Sequence, residues 1–210
     1  MKRNAIFILY LVMALMSCGS VMRSNIGGRG AIIIEKDVNP PLPEGIVAVE
    51  YIESTGVQVI VTPYYFHAYS AVEADLEWET LPTRRDGYWG VNGIFQFNYS
   101  LAYGSRCICR CWRDNAHGPY NYVNGALKQT YEYPNYSGYL TLFGLGLSYY
   151  TTFGRVYWVR FKVDGKVYYD MIPVRFVNEL GYEEGALYDF ISGELFRNSG
   201  SNNFIIGPDL

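Results

Sequence analysis

Histidine and cysteine are scarce and charge is thin: the 210 residues hold two His, four Cys and 18% charged side chains. An ordinary soluble domain carries roughly 25% charge. The 17 cationic residues form no run, so the clustered Lys and Arg of a nucleic-acid surface are missing. His67 and His117 stand far apart with no Ser or Cys nucleophile motif beside either, and nothing supports a hydrolase triad. No stretch after the first residues shows sustained i, i+3, i+4 apolar spacing with a capping box, which argues against helices. No apolar run reaches the roughly 20 residues of a membrane-spanning helix. The apolar share is nevertheless 50%, enough to build a core and to exclude general disorder.

Tyrosine is what the chain has in excess, 21 residues or one in ten. Its strand preference and amphipathic ring suit half-exposed sheets or stacking surfaces. The first 18 residues read MKRNAIFILYLVMALMSC. Lys2 and Arg3 precede an apolar run from Ala5 to Met16, the anatomy of a signal peptide. Leu15-Met16-Ser17-Cys18 resembles the bacterial lipobox. The resemblance implies a signal peptide over 1–17, cleavage before Cys18, and acylation of its thiol and new amino terminus. Several acyl chains together hold a protein at a membrane where one alone is marginal. Cleavage would leave 15 cationic against 20 acidic side chains, a formal charge of −5 with no basic patch for anionic lipid. Gly19 after Cys18, by resemblance to Gram-negative sorting rules, implies the outer membrane of the cell envelope, with the leaflet left open.

Residues 18–45 read as the lipidated Cys and a flexible linker, with Gly27-Gly28 and the Pro40-Pro41-Leu42-Pro43 stretch. From residue 46 to 210 the texture is strand and turn. Ile46–Glu53 and Val57–Thr62 flank a turn at Ser54-Thr55-Gly56. Val72, Ala74, Leu76 and Trp78 alternate with Glu73, Asp75, Glu77 and Glu79, which predicts a strand with one dry and one wet face. Val91–Tyr99 and Leu101–Trp112 read as a further pair. Asp164-Gly165 between Val156–Val163 and Val167–Ile172 predicts a type I′ hairpin. Leu187–Ile191 and Glu194–Arg197 flank another tight turn at Ser192-Gly193. Short strands without helices predict an all-β sandwich or barrel, and the expectation taken forward is a sandwich.

Glu50-Tyr51-Ile52-Glu53-Ser54-Thr55-Gly56 with Gln58 resembles the opening of a concanavalin-like (laminin-G-like) jelly-roll module of bacterial surface and phage structural proteins. Gly154 to Tyr157, Asp170 to Arg175, Gly185 to Asp189 and the closing stretch through Phe204 and Gly207-Pro208 are similar to that module's ending. The resemblance implies a jelly-roll sandwich over residues 46–210 and often carbohydrate binding or adhesion. It implies no single activity.

Glu73-Ala74-Asp75-Leu76-Glu77 resembles the catalytic strand of endo-glucanases that share this fold, where the outer glutamates act as nucleophile and acid/base. Glu79 extends the acidic face, as a solvated strand would, and the plain reading is a wet amphipathic strand. Cys107, Cys109 and Cys111 share one face of a strand. Zinc needs four ligands, usually from separated pairs, so these thiols read as small buried hydrophobes, with a disulfide to a partner chain as the alternative. No metal site and no cofactor is expected.

Aromatics carry the remaining signal. Tyr88 and Trp89 lie in a Gly-flanked segment read as a loop, and Trp112 has the parity opposite the cysteines. Tyr120 and Tyr122 lie in a Tyr- and Asn-rich stretch. Aromatic platforms beside hydrogen-bonding side chains suit sugar rings, although packing alone accounts for many tyrosines. The expectation is a membrane-anchored surface lipoprotein whose module binds carbohydrate or a partner protein without catalysis. A structural or adhesive subunit that assembles with other surface proteins is the alternative, and a glycoside hydrolase using Glu73 and Glu77 is third.

Overall fold

A computed structural model describes residues 40–78, 87–91, 95–98, 105–114, 120–130, 138–144 and 153–210. The signal peptide, Cys18 and most of the linker lie outside the described residues. The chain's period-two apolar pattern becomes strand after strand. The first eight are β1 (Ile46–Ala48), β2 (Ile52–Thr55), β3 (Ile60–Phe66), β4 (Ser70–Trp78), β5 (Gly87–Val91), β6 (Phe95–Asn98), β7 (Cys107–Trp112) and β8 (Tyr120–Val123). Then come β9 (Ala126–Thr130), β10 (Gly138–Leu142), β11 (Phe153–Val163), β12 (Lys166–Val177), β13 (Glu183–Asp189), β14 (Leu195–Phe196) and β15 (Ile205–Ile206). No helix occurs among the described residues.

The strands form two antiparallel sheets. The larger runs β14-β13-β12-β11-β4-β7-β8-β9, with β1 added to β12 and β2 held between β11 and β15. The smaller runs β3-β10-β5-β6. Their facing sides share one apolar core, to which β3 and β10 give Ile60, Phe66 and Leu140, and β4 and β11 give Leu76 and Phe161. Tyr64 ties the sheets together. Its ring stacks on Phe161 at 4.6 Å between centroids, and its hydroxyl donates to the Lys162 carbonyl at 2.7 Å. Desolvation pushes that phenol up to about 12. The class of protein is thus an all-β antiparallel sandwich.

Two turns form where backbone chemistry demands them. Asp164 and Gly165 both have positive φ (48° and 75°) and close the β11–β12 hairpin, with Val163 opposite Lys166. Asn124 and Gly125 (48° and 78°) close β8–β9 in the same way. This is the Asn-Gly form of the type I′ turn, and the Asn124-Gly125 dipeptide itself carries the signal.

Several strand partners differ from expectation. β2 and β3 do not form a hairpin: β2 joins the large sheet and β3 the small one. Gln58 causes the divergence. Its buried side-chain carbonyl accepts the Thr55 amide at 2.8 Å, and its amide nitrogen donates to the Asn203 carbonyl at 2.9 Å. The local backbone is thereby tied to the C-terminal segment, and the chain leaves its first sheet. Nor do the two stretches at 91–112 pair with each other. β6 pairs with β5, and β7 lies between β4 and β8. The Ser192-Gly193 turn is wider than a two-residue loop, since the Asp189 amide donates to the Glu194 carbonyl across it.

The two ends of the sandwich domain meet. The long β11–β12 hairpin splays, and the segment from Ile46 to Thr55 enters the gap, pairing first with β12 and then with β11. The last residues close over it. Val49 bridges Asp209, Gly207 donates to the Tyr51 carbonyl, and Leu210 donates to that of Ala48. Gly207 is required there, because a Cβ would come within 2.9 Å of the Tyr51 ring. A second apolar cluster around Val174 and Tyr188 sits beneath Leu42, Phe190 and Leu195.

Candidate functional site

The outer face of the large sheet gathers most of the residues singled out from sequence. β4 alternates as expected: Val72, Ala74 and Leu76 are buried in the core. Glu73, Asp75 and Glu77 take the opposite parity and face cations from neighbouring strands. Register places Asp170, Arg160, Glu73 and Arg110 side by side across β12, β11, β4 and β7, a row of alternating charge. Opposite charges directly across a sheet each contribute roughly 0.2–1 kcal/mol.

Every acidic member has a partner. Glu73 receives Lys162 at 2.6 Å and Arg110 at 3.3 Å. Asp75, almost wholly buried, accepts the Arg106 guanidinium through both oxygens, at 3.1 and 2.9 Å. That contact holds the Arg106 guanidinium above its ordinary range. Glu77 accepts the Tyr157 hydroxyl at 2.7 Å and lies 3.5 Å from Arg155, which also pairs with Glu53 at 2.6 Å. Burial and then the bond to Glu77 push the Tyr157 phenol up to about 12. A bulge between Val156 and Trp158 sets this geometry, carrying both Tyr157 and Trp158 away from the core beside Asp75. Arg106 closes the group, its guanidinium 3.6 Å above the Tyr157 ring. The carboxylates join β4 to β2, β7 and β11. A nucleophile and an acid/base pair would have to leave those partners before meeting a sugar.

The aromatic candidates separate into two sets. Trp112 and Tyr120 are register partners on β7 and β8, and their rings stack at 5.2 Å with 22° between planes. The Tyr120 hydroxyl reaches Asp114 at 3.4 Å. Tyr122 lies opposite Arg110 on the same face. Together these make an aromatic strip at one end of the charged rows, half-buried by its own stacking. Tyr88 and Trp89 fall elsewhere. Their segment is strand β5 of the small sheet rather than a loop, with Trp89 in register with Leu142. The Gly-flanked composition argued for a turn, but pairing to β10 outweighs it. The two tryptophans thus belong to strands of different sheets.

Cys107, Cys109 and Cys111 all point into the core. Cys107 and Cys109 touch, Sγ to Sγ at 3.5 Å. Among the described residues, no three His, Cys, Asp or Glu side chains gather as a metal site. His67 bonds the Ala68 carbonyl through Nδ1 at 2.7 Å, while His117 lies outside the described residues. Asn121 was not singled out as a core residue. It lies on β8 beside Cys111, is fully buried, and among the described residues neither its amide oxygen nor its nitrogen has a hydrogen-bond partner. The alternation of Tyr120-Asn121-Tyr122-Val123 carried that signal. Comparison with protein-family models, with curated proteins and with solved structures found no match.

Proposed function

We propose that this chain is an exported lipoprotein anchored through Cys18, whose jelly-roll module binds carbohydrate on the outer face of its large sheet, without catalysis. The observation that carries the reading is the outward Trp112–Tyr120 stack beside Tyr122 and the Glu73–Arg110 pair. Sugar rings offer apolar C–H faces to such rings and hydroxyls to such charged neighbours. The meeting of the first and last strands supports the jelly-roll resemblance. The lipobox-like Leu15-Met16-Ser17-Cys18 supports the anchor and an outer-membrane address.

The test is a glycan array probed with the full chain and with Trp112→Ala. Truncating a true aromatic anchor costs about 2 kcal/mol or more, roughly a thirtyfold loss of affinity. The melting temperature should stay nearly unchanged. Loss of stability without a specific loss of binding would make the strip a packing feature. For the anchor, Cys18→Ala should move the protein from the detergent phase to the aqueous phase in detergent partitioning.

A second reading, assembly with another surface protein, draws on a different place. Tyr65 and Tyr139, 46% and 56% exposed, meet edge to face on the outer side of the small sheet. A co-purifying partner lost on Tyr139→Ser, with no glycan bound, would favour it. Reducing-sugar release abolished by Glu73→Gln would instead favour the hydrolase.

A further inference from the structure

The three thiols of β7 are not equivalent. Alternation puts them all on the core side, but their neighbours and exposure differ. Cys109 is fully buried between Ala74 and Val123 in the registers of β4 and β8. Cys111 is as deeply buried, between Val72 and Asn121. Cys107 begins the strand opposite Leu76, directly after the exposed Arg106, and keeps 7% of its surface open. Its sulfur is 3.5 Å from that of Cys109.

We propose that Cys107 and Cys109 are a redox couple that closes to an intrachain disulfide around Ile108, leaving Cys111 as a permanent thiol. A disulfide bond is about 2 Å long, so the sulfurs must approach by about 1.5 Å. Ala74, the register partner of Cys109 on β4, sets only a methyl group beside it. Two residues of one extended strand lie near the upper limit of disulfide Cα separation, so the strand pleat must tighten and the bond is strained and easily reduced. The contact between the two sulfurs lowers the Cys107 thiol below its ordinary value, while that same contact and burial push the Cys109 thiol up. Exposure sets the order of events, since Cys107 alone of the three keeps any surface open. The Cys107 thiolate attacks a small-molecule disulfide such as glutathione disulfide, forming a mixed disulfide and releasing one glutathione thiolate. Cys109 then attacks the Cys107 sulfur, displacing the second glutathione thiolate, which takes the Cys109 proton. The protein loses two electrons and two protons, and one glutathione disulfide becomes two thiols.

The experiment uses the full chain carrying Cys18→Ala, so that three thiols remain. The native protein is incubated with glutathione disulfide, denatured in N-ethylmaleimide and mapped by peptide mass. The expected result is one maleimide, on Cys111, and a peptide holding Cys107 and Cys109 that is two hydrogens lighter. Dithiothreitol before denaturation should restore three maleimides. Cys109→Ser should retain glutathione on Cys107, because no neighbouring thiol displaces it. Cys107→Ser should take up none, because the remaining thiols are buried. Three maleimides after oxidation, a bridge that includes Cys111, or a disulfide-linked dimer would each overturn the proposal.

Discussion

The two faces of β4, β7 and β8 obey different rules. Inside, Val72, Leu76, Cys109 and Val123 are apolar, and their positions follow from burial alone. Outside, Glu73 and Asp75 of β4 are joined to Arg110 of β7 and to Arg106, which immediately precedes β7. Burial decides which side of a strand turns inward, since a one-residue slip would expose the whole apolar set. It does not decide which strand lies next to which. Charge matching on the outer face supplies that choice, because Arg110 meets Glu73 only in this register. The pairs are not alike: one with an exposed partner contributes roughly 0–1 kcal/mol, while leaving the almost wholly buried Asp75 without Arg106 would cost more.

Breaking the inner face should have the largest effect. Leu76→Ala removes a fully buried side chain and should cost about 2–5 kcal/mol in denaturant unfolding. A loss under 1 kcal/mol would mean that the site collapses around the gap and that the inner face is less tightly packed than described.

Asn121 is where the inner face breaks its own rule, and replacing it should sharpen the contrast. A buried polar group without a hydrogen bond costs about 1–3 kcal/mol. Asn121→Val, apolar and favoured in strands, should therefore raise the melting temperature. A lower melting temperature would show that the amide grips a buried water that valine cannot hold.

The smallest effect belongs to a surface charge pair. Arg175 reaches both oxygens of Asp209, at 2.7 and 2.8 Å, and holds that carboxyl below its ordinary value. A depressed carboxyl stabilises the fold fully above its unfolded value and ceases to do so as pH falls through its lowered folded value. Protection of the 205–210 amides, taken relative to the intrinsic exchange rate at each pH, should fall over that acidic interval, and Arg175→Ala should leave it low throughout. Protection that stays flat with pH in the parent protein would show that the backbone pairing alone holds the segment.

What could be read in advance follows the same division. The alternation of Val72 to Glu77 was legible because one face of β4 is buried and the other wet. Asp164-Gly165 was legible because few dipeptides accept two positive φ values in succession. The separation of β2 from β3 was not, because Ser54-Thr55-Gly56 announces a turn without saying where the chain goes next. That depended on Gln58 meeting Asn203, 145 residues away. The engaged carboxylates were hidden for a related reason. Lys162 lies 89 positions from Glu73, and periodicity describes faces rather than partners. Asp75 met its Arg106 across 31 positions in the same way.

The closing of the last residues over β1 and β2 has a consequence in time. A chain leaving the ribosome has made the Ile46 to Thr55 segment long before it makes β11 and β12, which flank that segment, or β15, which covers it. Until then these early strands have unpaired edges, and contacts so distant in sequence form slowly. Synthesis must therefore run through β15 and Asp209 before the first strands gain these neighbours. A chain lacking residues 205–210 would leave the earliest-made part of the domain without its cover, although the missing residues lie about 150 positions further along the sequence.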